Sequence, residues 1–66
     1  MRTVGTIADV ENNGSVSVIT LETDHGQVWL AAETRLLISA LADAFGDDWR
    51  NQTIAAEHDG MMLISF

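Results

Sequence analysis

The clearest periodic pattern in the chain is helical and covers residues 31–45, with Gly46 directly after it. At 100° per residue, one broad face of this segment is apolar and the opposite face is polar. The apolar face consists of Leu37, Ile38, Ala40, Leu41, Ala44 and Phe45. Glycine ends a helix readily because it adopts a positive φ at no steric cost. The pattern predicts one amphipathic helix, against which the rest of the chain can pack.

The other apolar segments are short, rich in β-branched residues and separated by polar turns that contain glycine. We predict strands at residues 3–11, 15–23, 27–30, 53–57 and 61–66. The strongest turn signal is Asn13-Gly14, because both residue types tolerate the positive φ of tight hairpins. The chain has no proline, so glycines carry almost all the turn signals.

Two of the predicted strands have irregular patterns. In the first, Val4, Ile7 and Val10 recur every three residues, and a bulge or kink at Gly5 or Ala8 would reconcile this spacing with a coiled strand. In the second, the apolar face switches midway, as expected of a strand that bends around a small barrel. This switch separates Val16 and Val18 from Ile19 and Leu21. Both patterns favour a curved sheet.

The predicted order is β-β-β-α-β-β, and three marks make it resemble the OB-fold, a small Greek-key barrel. These marks are Gly5-x-Ile7 in the first strand, the bent second strand and the helix between the third and fourth strands. The preferred fold class is therefore α+β, mostly β, as a small five-stranded OB-like barrel. The resemblance implies binding through the second and third strands and their neighbouring loops. The alternative is an open antiparallel ββαββ sheet with the helix on one face.

Length and cysteine content limit how such a fold is stabilised. The 66 residues form one domain, 1–66, which buries only about 60% of the surface that its unfolded chain exposes. There is no cysteine, so neither disulfides nor thiolate metal sites can support it. A protein partner or self-association, as in a homodimer, is the expected supplement.

The charge narrows the class of partner. The net charge is −7, from ten acids and three arginines without any lysine. Nucleic acids and anionic membranes are disfavoured, because both require clustered cations. A solvated acidic exterior is the simplest interpretation, and a basic partner surface is the functional one. No signal sequence or membrane span is recognised, so a cytoplasmic location is expected.

The chain has few residue types that are suited to catalysis, and we expect neither enzymatic activity nor a cofactor. Thiol, Schiff-base and phenolic mechanisms are excluded, because the chain lacks Cys, Lys and Tyr. No serine sits in a nucleophile elbow, and no phosphate-binding loop is present. His25 and His58 each lie beside acids and a glycine, but exposed turn histidines are the preferred interpretation over a metal site.

A few residues are candidates for an interface. Trp29 should face outward between Val28 and Leu30, whereas Trp49 should fold back onto the core. Leu36 lies on the polar face of the helix and, aligned with Trp29 or Met61, would form an apolar patch with an acidic rim. The last strand is apolar nearly throughout, so it is either covered on both faces or exposes one face to a partner. The interface candidates are Trp29, Leu36, Met61, Leu63, Asp43 and Arg35.

Three functions remain open. The first is a small acidic, non-enzymatic interaction module of the regulator or inhibitor type, which binds a protein, for example at a basic nucleic-acid-binding surface, or itself. The second is a single-stranded nucleic-acid-binding OB-like domain, in which Trp29 stacks on bases and the arginines contact phosphates. The third is a dimeric structural or accessory subunit whose final strands pair edge to edge.

Overall fold

The computed structural model describes all residues from Met1 to Phe66 and contains five strands and one helix. The strands form a closed barrel in the order β1-β2-β3-β5-β4, in which only β3 and β5 run parallel. The predicted fold class is confirmed, and the open sheet is excluded. The arrangement is compatible with a small OB-like barrel. The elements are β1 (Arg2–Asn13), β2 (Val16–Thr23), β3 (Gly26–Glu33), α1 (Thr34–Phe45), β4 (Thr53–Asp59) and β5 (Met62–Ser65).

The helix begins three residues later than predicted. Ala31 and Ala32 continue β3, where they pair with β2, and Glu33 pairs with Val16. Alanine favours helices, but here the cross-strand pairing and the burial of Ala32 outweigh that local preference. The end of the helix is as predicted: Gly46 has a φ of 62° and its N–H donates to the carbonyl oxygen of Ala42 at 2.9 Å.

The start of α1 is tied to the β1–β2 hairpin by a cluster of hydrogen bonds. The Thr34 N–H donates to the carbonyl oxygen of Ser15 at 2.9 Å. The Thr34 hydroxyl donates to the Gly14 carbonyl oxygen at 2.6 Å and accepts from the Ser17 hydroxyl at 2.7 Å. These bonds fix where the helix leaves the barrel, although no side chain caps its first turn.

β1 is coiled, as its irregular pattern predicted. Its register against β2 shifts between Ile7 and Asp9, which places the bulge at Ala8, one of the two predicted positions. Gly5 is buried where β1 lies very close to β2, and a Cβ atom there would lie 2.8 Å from the carbonyl oxygen of Glu22. β1 can therefore pair with β2 on one side and with β4 on the other.

The predicted switch of faces in β2 is wrong. Ser17, Ile19 and Leu21 all point into the barrel in simple alternation, and Val16 and Val18 point outward. Ser17 can occupy an inward position because its hydroxyl finds a partner in Thr34. A buried polar residue thus produced an apparent change of face in the sequence.

The barrel interior and the inner side of α1 form a single core. Trp49 is half-buried and packs against this core, as predicted. The one helix of the structure is not long and apolar enough to cross a membrane. The core residues are Ile7, Ile19, Leu21, Leu30, Ala32, Leu37, Leu41, Ile54 and Ala56.

Candidate functional site

The barrel closes least completely between β3 and β5. These strands pair at one position, where Ala31 lies opposite Met62, and the Ala31 N–H donates to the carbonyl oxygen of Met61 at 2.7 Å. β3 ends at Glu33, where the chain turns into α1. Beyond Met62, β5 therefore has no strand partner on its β3 side.

An apolar groove of about 520 Å³ lies at this seam, between α1 and β5. We call it the α1–β5 groove. Eight of its ten lining residues are hydrophobic. Three large ones are mostly exposed: Leu36 is 64%, Met62 58% and Ile64 67% accessible. The lining residues are Ala32, Glu33, Leu36, Leu37, Ala40, Met62, Leu63, Ile64, Ser65 and Phe66.

The two sides of the groove have different local origins. On the helix side, Leu37 is buried against the barrel, while Leu36 and Ala40 project beyond it. On the strand side, the register of β4 against β5 shifts: Glu57 lies opposite Ser65, but His58 lies opposite Leu63. Ile64 is the extra residue of this bulge and is held out of the barrel. Both sides therefore expose large apolar side chains.

One acidic residue lines the groove, and two more lie on β4, at the other side of β5. Glu33 lines the groove and lies 3.7 Å from the guanidinium of Arg35, in an exposed ion pair. On β4, Asp59 pairs with Met62 and Glu57 pairs with Ser65, so both acids lie beside β5. In a chain of net charge −7, the surroundings of the groove favour positively charged groups.

The structure brings together only some of the predicted interface residues. Leu36 and Leu63 line the same groove, with Leu63 half-buried. Met61 is exposed in the β4–β5 turn but does not line the groove. Leu36 is thus aligned with β5 rather than with Met61 or Trp29.

The remaining candidates lie elsewhere. Trp29 faces outward as predicted, 51% accessible, on the outer face of β3 opposite Thr20 of β2. Asp43 is exposed on α1, away from the groove lining. Arg35 lies next to the groove through its ion pair with Glu33.

Of the ten lining residues, only Leu36 and Leu63 were among the predicted interface residues; the large apolar residues missed on the strand side are Met62, Ile64 and Phe66. Both faces of β5 are apolar, so alternation alone does not show which side faces the core. The bulge at Ile64 then breaks the alternation, since a residue is added on one strand only. One usable signal was that the segment is apolar at every position from Met61 to Ile64.

The expectation of two exposed turn histidines is wrong for His58. His25 is exposed in the β2–β3 turn, whereas His58 lies within β4, points into the barrel and is 4% accessible. Its Nδ1 lies 2.7 Å from the Gly60 carbonyl oxygen, which can only accept, so Nδ1 donates. Its Nε2 lies 2.7 Å from the Thr3 hydroxyl, which completes the polar partners of the ring.

His58 is therefore a structural residue that ties the β4–β5 turn to β1.

His25 borders a smaller, mostly polar cavity of about 290 Å³ at one end of the barrel, together with Arg2 and Asp24. No three His, Asp or Glu side chains come together as a metal-binding group.

The arginines do not form a cluster. The Arg50 guanidinium stacks over the Trp49 ring at 4.8 Å, donates to the Ala8 carbonyl oxygen at 2.7 Å and lies 3.5 Å from Asp9. Arg35 pairs with Glu33. Two of the three arginines thus already have an acidic partner within the chain.

Comparisons of the chain with protein-family models, with curated proteins and with solved structures found no match. Function is therefore inferred from the geometry of the barrel and its α1–β5 groove.

Proposed function

We propose that this protein is a small, non-enzymatic interaction module of OB-like architecture that binds a protein partner through the α1–β5 groove. The observation that carries the proposal is the exposure of Leu36, Met62 and Ile64 on facing sides of one groove. Scattered exposed apolar residues need no explanation, but large ones gathered around a concave surface are typical of binding sites.

The free energy gained by burying these side chains supports a binding role. Fully burying a Leu, Ile or Met side chain contributes about 1.5–3 kcal/mol, and a few such residues usually dominate an interface. The groove volume of about 520 Å³ also lies in the range of ligand sites. However, its sides are exposed side chains open to solvent, whereas small-molecule sites enclose most of their ligand. A protein surface is the occupant that fits better.

The charge supports a basic partner. Glu33 lines the groove, Glu57 and Asp59 lie on β4 at the other side of β5, and the whole chain carries −7. We therefore propose a regulator or inhibitor that binds a basic surface of its partner, for example the surface with which that partner binds nucleic acid. A second copy of this chain is a less suitable occupant, because two equal negative charges repel each other on approach.

The test is a pair of variants on the same helix. Leu36 lines the groove, whereas Ile38 is also exposed on α1 but does not line it. A tagged protein is used to capture partners from cells that encode it, after nuclease treatment. We expect a defined protein that is retained by the Ile38→Asp variant and lost with Leu36→Asp, while both variants keep the wild-type circular dichroism spectrum.

Two results would count against the proposal. If capture disappears with nuclease, the interaction depends on nucleic acid. If Leu36→Asp and Ile38→Asp behave alike, the groove is not the interface. Sedimentation of the isolated protein at high micromolar concentration tests self-association, and a dimer that Leu36→Asp dissociates would identify a second copy as the occupant.

A second candidate function follows from one observation, the exposure of Trp29 on the β2–β3 face. An exposed tryptophan on an OB-like barrel can stack on the bases of a single strand. Against this, Asp9 of β1 and Thr20 of β2 are paired across the sheet in line with Trp29, and two arginines are engaged by acids. Titration with a fluorescent deoxythymidine oligonucleotide distinguishes the candidates, and we expect no binding at 0.15 M salt, about physiological.

A further inference from the structure

The open edge of β5 indicates what kind of segment the groove receives. All residues from Met62 to Phe66 line the groove, so the strand itself, and not only its side chains, forms one side of it. On the β3 side, only Met62 has a strand partner. A strand without a partner presents free N–H and C=O groups, which readily pair with another extended chain.

The position of α1 allows such a chain to enter. β3 ends at Glu33 and the helix diverges from the sheet, so no element of the chain covers β5 beyond Met62 on this side. In a strand, alternate side chains point to opposite faces. An added strand would place one set of side chains against Leu36, Leu37 and Ala40 and leave the other set facing outward.

Charge and hydrogen bonding restrict the occupant further. Asp59 and Glu57 lie beside β5 on β4, and Glu33 lies at the helix side of the groove. Glu57 and Asp59 would be separated from an added strand by β5, so Glu33 and the net charge of −7 are what favour Lys or Arg in that strand. A docked amphipathic helix would cover the apolar side chains but leave the main-chain groups of the β5 edge unpaired.

We propose that the α1–β5 groove binds an extended segment of the partner, with apolar and basic residues in alternation, which adds to the open edge of β5 as a sixth strand. This inference rests on the proposed function and specifies the partner's binding element. Main-chain hydrogen bonds to β5 would supply affinity, and the apolar side chains that line the α1–β5 groove would select the alternate side chains.

The test begins with a library of random twelve-residue linear peptides, displayed and selected on the folded protein. Peptides that also bind the Leu36→Asp variant are removed. We expect the recovered peptides to alternate apolar residues with Lys or Arg and to lack proline. Their amide contacts are then mapped by NMR: the amide signals of β5 beyond Met62 should shift, and those whose N–H groups point to the open edge should become protected from hydrogen exchange on binding.

Backbone N-methylation distinguishes a strand from a helix in the same groove. In an added strand, only every second residue directs its N–H toward β5. Methylating that alternate set should weaken binding at least about tenfold, which corresponds to about 1.4 kcal/mol, whereas methylating the other set should change it little.

The outcomes separate this inference from the proposed function. Peptides with apolar residues at helical spacing that still require Leu36 would overturn the added strand and leave the groove as the binding site. Failure to recover any peptide that discriminates the Leu36→Asp variant from the Ile38→Asp variant would overturn both. Equal sensitivity to both methylated sets would also exclude the strand.

Discussion

The β1–β2–β3 sheet and the seam between β3 and β5 are built in opposite ways. β2 pairs with β3 along its whole length, from Val16 opposite Glu33 to Thr23 opposite Gly26. At the seam, by contrast, the pairing is limited to Ala31 and Met62. The sheet carries Ile19 and Leu21 fully buried, whereas the seam exposes Met62 and Ile64.

The difference indicates which part maintains the fold and which part is available for binding. Complete strand pairing and burial stabilise the fold. Exposed apolar side chains beside an unpaired strand edge can still form contacts with another molecule. Large hydrophobic residues such as Val4, Trp29 and Ile38 are exposed elsewhere too, but at the seam they lie together around one groove. The proposed binding role of the seam rests on this clustering.

The first prediction concerns Gly5, where β1 lies very close to β2. A Cβ at Gly5 would lie 2.8 Å from the Glu22 carbonyl oxygen, so Gly5→Ala forces the strands apart and should cost about 3 kcal/mol. Gly14→Ala is the control: nothing lies within 4 Å of its Cβ, and the positive φ costs only about 1–2 kcal/mol. Urea denaturation measures both. Equal losses of stability would show that the close approach of the two strands at Gly5 is not important.

The second prediction compares one substitution on the two sides of the molecule. Leu21→Ala removes a fully buried side chain from the sheet and should reduce the free energy of unfolding by about 4 kcal/mol. Leu63→Ala acts on a half-buried side chain at the seam and should cost about 2 kcal/mol. Thermal and urea unfolding of both variants check the order. A larger loss at Leu63 would mean that the seam, not the sheet, dominates stability.

The smallest effect concerns the connection between these regions. The Thr3 hydroxyl is the partner of His58 Nε2, and the same ring holds the Gly60 carbonyl oxygen in the turn before β5. Thr3→Val keeps the shape but removes the hydroxyl, which should cost about 1 kcal/mol. Thr3→Ser, which keeps the hydroxyl, should stay close to wild type in the same unfolding measurement. If the two variants are equal, the hydrogen bond contributes nothing measurable.

Local signals predicted much of this fold. Gly46 marked the end of the helix, and the three-residue spacing around Ala8 marked the bulge, because both are set by the backbone of a few neighbouring residues. The alternation around Trp29 gave its outward direction correctly.

The errors share one cause, which is pairing with residues distant in the sequence. Ala32 is a strand residue because β2 lies beside it, and Ser17 is buried because Thr34 supplies a hydrogen-bond partner. His58 is buried because Thr3, 55 positions away, bonds to its ring. The groove was only partly anticipated for the same reason: Leu36 and Leu63 were identified, but the bulge that exposes Ile64 depends on how β4 meets β5.

The hydrogen bonds of Thr34 also imply an order of assembly. Thr34 joins Gly14, Ser15 and Ser17, so the first turn of the helix acquires its anchor only after the β1–β2 hairpin has formed. The hairpin is local in sequence, whereas closure between β1 and β4 joins residues some fifty positions apart and carries a larger loop-closure cost. We expect the hairpin and the helix start to belong to the folding nucleus, with higher φ-values at Ser17 than at Leu63. The seam would then be the last region to form during folding and the first to open during unfolding.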